Sequence, residues 1–271
     1  MIRPTPVHRP VWEPVYRDVQ GPVWLNGAGG ESYPGHNMVV FDGTNDYLTF
    51  NAAGGPFGTT PEYFTAAFVV QPESLAASTS HNLLWANAQT VIRIVHTTGL
   101  MAVLLQNAGG SGFNSSSSET VPVIAGQPNV IQIAGRSAAD HADSLVSVWV
   151  NGALSCAVAG TLGASGGFSF DTYSQWGLFA TYAGGGKFGN AGGPAGGSAG
   201  LVWITAGATA DHYITKADYD FNNIRDLGVD GSAPGVTPIV FYGGTQEAAD
   251  WNLGTNQGSG SDWTMAGDGV A

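Results

Sequence analysis

Charge is what this sequence has least of. Only 10% of its 271 residues are Asp, Glu, Lys or Arg, against about 25% in an average globular domain. Cysteine occurs once, which excludes an intrachain disulfide framework and any zinc site built on two or more thiolates. There is no run of about 18 uncharged apolar residues, so no membrane-spanning helix is expected. The opening, MIRPTPVHRPVWEPVYRDVQ, has no apolar h-region and is punctuated by proline, so a secretory signal is not expected.

What little charge exists is unevenly placed. The net charge is −12, yet residues 1–17 hold Arg3, Arg9 and Arg17 against Glu13 alone. An acidic body repels a phosphate backbone, so nucleic acid is a poor partner. A basic head on such a body reads as an attachment arm. Hydrophobic residues make up 43% of the chain, enough to build a core.

Short apolar or alternating runs, separated by Gly, Asn, Asp and Ser, dominate the rest. They predict strands at 37–41, 46–50, 63–71, 82–86, 90–96, 100–106, 120–124, 129–135, 144–151, 153–158, 176–181, 199–206 and 238–242. SLVSVWV-NG-ALSCAV is the clearest hairpin, because Asn151-Gly152 supplies two residues tolerant of positive φ. The Gly/Ser-rich stretches 108–118 and 183–200 are expected to be long loops. One helix is expected: Thr215 caps it with Asp218 as reciprocal partner, Ala217, Phe221, Ile224 and Leu227 share a face, and Gly228 stops it. About a dozen strands and one late helix indicate an all-β, two-sheet jelly-roll sandwich.

The order of motifs supports that class. VVFDGTNDYLTF (39–50), FTAAFVVQPES (64–74), QPNVIQIAGR (127–136), SLVSVWVNGAL (144–154), WGLFAT (176–181) and AGLVWITAGATADHYITKADYDFNNIRDLG (199–228) resemble the concanavalin A-like, laminin-G-type jelly roll. Val70 and Asn129 stand where that family usually has tryptophans, and the helix begins ITKAD. The flanks, MIRPTPVHRPVW and PIVFYGGTQEAADWNLGTNQGSGSDWTMAGDGV, look like the termini of laminin-G-containing virion proteins of tailed bacteriophages and gene transfer agents. The resemblance divides the chain into an arm at 1–36, a sandwich at 37–228, and an extension at 229–271 that packs on the sandwich or on a neighbouring subunit.

Enzyme chemistry finds little foothold. Glycoside hydrolysis usually needs two carboxylates about 5–10 Å apart. The six glutamates (Glu13, Glu31, Glu62, Glu73, Glu119 and Glu247) have no acidic residue two positions away, and Asp218 and Asp220 would diverge on a helix. The Gly-x-Ser-x-Gly matches at 163–167 and 196–200 lack the strand-then-helix context of a nucleophile elbow. No His pair has metal-ligand spacing, Lys187 lacks a phosphate-cradling loop, and Cys156 reads as inert core. Asp42, Asn45 and Asp46 offer oxygen ligands of the kind calcium takes, although a tight turn held by Asx hydrogen bonds is the preferred reading. No other cofactor is expected.

Aromatics remain. Among 12 Phe, 9 Tyr and 8 Trp, the loop-side Tyr173, Trp176 and Tyr182 are candidates to stack on sugars. Trp251 and Trp263 are candidates for packing between subunits. In the arm, Pro4, Pro6, Pro10 and Pro14 favour an extended course along a partner, with Arg3, Arg9 and Arg17 for acidic grooves and Trp12 and Tyr16 as anchors. The expectation is a non-enzymatic protein of a phage-type virion surface. Its arm would bind major capsid or tail proteins, a trimer is expected by analogy, and its sandwich could grip host polysaccharide. A free lectin is the alternative, and a glycan depolymerase stands behind it.

Overall fold

The structure is a computed structural model. It describes residues 32–33, 36–52, 55–57, 60–75, 80–86, 90–106, 112–115, 118–137, 145–159, 167–168, 170, 175–180, 196–222, 227, 230–243, 246–267 and 270. The strands are β1 (Ser32–Tyr33), β2 (His36–Asn37), β3 (Val39–Phe41), β4 (Tyr47–Asn51), β5 (Tyr63–Pro72), β6 (His81–Ala86), β7 (Thr90–Ile94) and β8 (Met101–Gln106). They continue as β9 (Gly112–Asn114), β10 (Asn129–Arg136), β11 (Leu145–Val150), β12 (Ala153–Ala159), β13 (Gln175–Leu178), β14 (Gly197–Gly207), β15 (Val240–Tyr242) and β16 (Thr264–Ala266). A short helix, α1, spans Ala248–Asn252.

These strands form two antiparallel sheets beside a small β1-β2 ribbon. Sheet I runs β12-β11-β10-β5-β14-β15, with β3 also paired to β14. Sheet II runs β16-β4-β13-β6-β7-β8-β9. The two enclose one apolar core as a jelly-roll sandwich. Alternation decides which side chains enter it: Phe64, Ala66, Phe68 and Val70 of β5 face Leu84, Ile92, Ile94, Val103 and Leu178 of sheet II. Aromatic rings fill the middle. Trp176 meets Phe57 edge-on at 4.9 Å and Phe170 at 5.5 Å, and Phe170 meets Phe64 at 5.2 Å. Such pairs each add about 0.5–1.5 kcal/mol beyond the area they bury.

Sheet I is covered on its other face as well. Ala67, Val69, Val130, Leu201, Trp203 and Phe241 pack there against Ile214, Phe221 and Leu227 of the β14–β15 connection. That connection is stapled down by polar contacts. The Trp203 indole donates to the Gly231 carbonyl at 2.8 Å, and Gln132 Nε2 donates to the carbonyls of Ile214 and Tyr219. Burial on both faces explains why β5, β10 and β14 read as near-continuous apolar runs.

The Asn151-Gly152 hairpin forms as expected, with φ of +51° and +79°. Its Asn151 Oδ1 accepts from the Val130 amide at 2.8 Å, which ties the turn to β10. Other local expectations are corrected. The helix expected from Thr215 stops after one turn. Thr215 and Asp218 do bond reciprocally, but Asp220 Oδ1 accepts from the Asn222 amide at 3.0 Å, an Asx turn that competes with helix propagation. The short helix lies instead at α1, boxed by Glu247 and Asp250. Residues 120–124 are not a strand, because three of their amides bond to side chains, Thr120 and Val121 to Ser155 Oγ and Ile124 to Asn129 Oδ1, and Pro122 has none to give. β9 falls inside the expected loop 108–118, and β14 begins at Gly197 within the expected loop 183–200.

The C-terminal segment is built into both sheets, with β15 joining sheet I and β16 joining sheet II. Trp251 sits among Phe41, Phe179 and Tyr242, with ring centroids 5.0–6.2 Å away, and Trp263 meets Phe50 at 5.6 Å. Both indoles are buried within their own chain. They therefore have no surface with which to pack against a second subunit, which corrects that expectation. Gly254 makes the approach possible. Its φ is +69°, and a Cβ there would lie 1.8 Å from the Trp263 carbonyl oxygen. Gly254→Ala is expected to lower stability by more than about 1 kcal/mol. Urea unfolding checks this, and a midpoint unchanged from the parent would contradict it.

Candidate functional site

Trp176 is fully buried. With no exposed face its indole cannot stack on a sugar; parity along β13 sends it and Leu178 inward and leaves Gly177 facing out. Tyr173 and Tyr182, the other stacking candidates, lie outside the described residues, as do Arg3, Arg9, Trp12, Tyr16 and Arg17 of the arm.

The Asp42–Asp46 segment is a self-contained turn. Asp42 Oδ1 accepts from the amides of Thr44 at 2.6 Å and Asn45 at 3.2 Å, while Asp46 Oδ2 accepts from the Asp42 amide at 3.1 Å. Burial pushes the Asp42 carboxyl up, but the Thr44 and Asn45 amides outweigh it and hold the group below the usual carboxylate range. Asp42 Oδ1 and Asp46 Oδ2 are thus engaged by backbone amides, whereas Asn45 Oδ1 is buried with no hydrogen-bond partner. Among the described residues, no group of three or more His, Cys, Asp or Glu side chains is placed to hold a metal.

The described carboxylates make no catalytic pair. Glu73 accepts from the Gly196 amide, Glu247 caps α1, and Asp220 pairs with Lys216 at 3.0 Å. Ser198 of the second Gly-x-Ser-x-Gly match lies within β14, opposite Gln71 and Val40, and not on an elbow. Glu119 is buried beside β12, where it accepts a short hydrogen bond from Ser155 Oγ and one from the Cys156 thiol at 3.2 Å. Burial, then the neighbouring Glu119 charge, pushes that thiol up to about 12. The cluster pins residues 119–121 to the sheet edge; its sulfur is held protonated.

Among the described residues, the outer side of sheet II carries no second apolar cluster. Core positions alternate with outward ones, so Leu84 and Ala86 set Trp85 outward, Ile92 and Ile94 set Val91 and Arg93 outward, and Met101, Val103 and Leu105 do the same for Ala102 and Leu104. Strand register aligns one row as Thr264, Thr49, Gly177, Trp85, Val91, Leu104 and Asn114. The next row holds Asn82, Arg93 and Ala102. Trp85 is half-buried in mid-sheet, beside a glycine on one side and valine on the other. Thr49 stands across Gly177 from Trp85, and Tyr47, also half-buried, lies two residues further along β4 on the same face, about 12 Å from Trp85 by strand and residue spacing. Two amphipathic rings on one face, offset from one another and bordered by Thr, Asn and Gln, are able to combine apolar contact with hydrogen bonds. Neither Trp85 nor Arg93 stands out in the sequence as a site. HNLLWA shows no alternation, whereas the single charge in TVIRI was a readable signal of an outward position.

No family model matches this chain, and no curated protein does either. Solved structures resemble it to differing degrees. A candidate carbohydrate-binding protein from Bacteroides ovatus is 16% identical, with a TM-score of 0.50 over 84% of this chain, which spans 59% of that protein's length. A heptameric SAP-like pentraxin from Limulus polyphemus is 14% identical, with a TM-score of 0.42 over 86% of this chain and 93% of that one. The receptor-binding domain of botulinum neurotoxin mosaic serotype C/D is 9% identical, with a TM-score of 0.45 over 74% of this chain and 45% of that one.

The buried thiol gives a direct check on the Glu119 cluster. Iodoacetamide at pH 8 is expected to label Cys156 only after unfolding, with folded-state labelling rising as pH approaches about 12. Glu119→Gln removes the neighbouring charge and moves that rise to lower pH. Prompt stoichiometric labelling of the folded protein at pH 8 would count against the arrangement.

Proposed function

We propose that this chain is a non-catalytic glycan-binding sandwich, displayed on the surface of a phage-type particle by its N-terminal arm. The observation that carries the glycan reading is the outer face of sheet II. It offers two half-buried aromatic rings, Trp85 and Tyr47, with Thr49, Asn114 and Arg93 as polar neighbours and no Asp or Glu on its strands. The Bacteroides protein of like fold bears carbohydrate binding in its name, which supports the same reading. Display on a particle is favoured by a separate observation. Residues 1–17 concentrate three arginines, four prolines, Trp12 and Tyr16 ahead of a strongly acidic body. An extended segment of that kind gains order by lying along a partner, here a capsid or tail protein.

Two outcomes are expected. On an array of bacterial glycans the protein binds at least one saccharide saturably, and Trp85→Ala weakens that binding about tenfold, or ~1.4 kcal/mol, without shifting Tm. An array on which the folded protein binds nothing would sink the glycan reading. Replacing Arg3, Arg9 and Arg17 together by alanine is expected to leave array binding intact and to deplete the protein from purified particles, as read by mass spectrometry. Undiminished particle content in that variant would rule out attachment through the arm.

A further inference from the structure

Arg93 is the single Lys or Arg on the seven strands of sheet II, and those strands carry no Asp or Glu at all. In a chain with 20 acidic residues and a net charge of −12, a sheet whose one formal charge is positive is a marked local reversal. The other cations on the described residues are engaged. Arg136 lies over the Tyr213 ring at 5.6 Å, and Lys216 pairs with Asp220 at 3.0 Å. Arg93 has no such partner: its Nε is cut off from solvent with no hydrogen-bond acceptor, while the side chain as a whole is half-exposed. Its cross-strand neighbours, Asn82 and Ala102, are neutral.

An N–H buried without an acceptor is rare in folded proteins and asks for an explanation. A guanidinium that has already lost part of its hydration attracts an anion more strongly than a fully solvated one. Its planar fork matches a carboxylate, which it can hold through two parallel hydrogen bonds. Position then narrows the ligand. Trp85 lies directly opposite Val91, two residues before Arg93 on the adjacent strand, so the two residues are diagonal neighbours on one face, their Cα atoms about 7–8 Å apart. Ala102 beside Arg93 and Gly177 beside Trp85 put the smallest residues of the two rows next to them.

We propose that this face selects carboxylated saccharides, sugars bearing a uronic- or sialic-type acid, with Trp85 under the ring and Arg93 on the carboxylate. The proposal rests on the glycan-binding reading and adds its ligand class. The acidic body repels polyanions at long range, so selectivity resides in this one local contact.

The test is calorimetric titration of two matched pairs: oligogalacturonate against its methyl ester, and sialyllactose against lactose. The folded protein is expected to bind the free acid of at least one pair tenfold or more tightly than its neutral counterpart, and to lose that preference as NaCl is raised. Arg93→Gln is expected to bring acid and neutral forms to equal affinity with Tm unchanged, and Arg93→Lys to restore part of the preference without the bidentate geometry. Equal affinity of the parent for acid and neutral forms overturns the proposal, as does a preference that survives Arg93→Gln or an array response confined to neutral glycans. Those results leave the glycan reading standing. Failure to bind any saccharide, acidic or neutral, removes both, and capture of an acidic peptide in that case would reassign the face to protein recognition.

Discussion

The pairing of β14 with β5 is the constraint on which the remaining structure hangs. It runs from Gly197 opposite Pro72 to Gly207 opposite Tyr63, and both strands are buried on both faces. One irregularity between Ala199 and Leu201 lets Ala199 and Val202 both face the main core, while Leu201 and Trp203 turn to the outer cluster. A doubly buried sheet must be covered twice. Sheet II supplies one cover and the stapled β14–β15 connection the other. The β5-β10-β14 part of sheet I is thereby covered twice, and among the described residues the outward side chains of sheet II are not absorbed by a second core.

On that face, polarity is set by sequence positions that a core would not tolerate. Arg93 sits between Ile92 and Ile94, both fully buried, and its charge is acceptable only because strand parity delivers it to the other side. The same parity removes Trp176 from the surface and puts Trp85 on it. Carboxylates, by contrast, are concentrated in turns, where Asp42, Asp220 and Asp230 each cap a neighbouring amide. The acidity of the protein is therefore largely a property of its loops, and the strands of sheet II carry no formal charge apart from Arg93.

Much of the fold was legible because β periodicity and turn chemistry are local. The runs around 63–71, 129–135 and 199–206 and the Asn-Gly hairpin all stand where short-range pattern put them. Errors arose where a distant group competed with a local one. The capping pair Thr215–Asp218 is real, but whether a helix continues was decided by Asp220 and by Phe221 docking on Trp203 at 5.1 Å. Residues 120–124 have strand composition but surrender three of their amides to Ser155 and Asn129. β16 is three residues long and leaves no pattern of its own. For the site, loop-side tryptophans looked like surface and were core: nothing local shows that Trp251 and Trp263 fold back onto Phe41 and Phe50. The relation of Trp85 to Arg93 depends on the register of β6 with β7, which no single-strand pattern contains.

The placement of β16 bears on how the molecule assembles. Thr264 pairs with Thr49, whose hydroxyl donates to the Thr264 carbonyl across 215 positions of sequence. Contacts this distant require closing a very long loop before they return any stabilisation, so they form late and slowly. Until residues 264–266 arrive, β4 presents an unpaired edge, and Phe50 lacks the Trp263 ring that packs against it. During synthesis, sheet II would therefore spend its longest interval as an open-edged intermediate, and self-association at that edge is the hazard that chaperones would have to guard against.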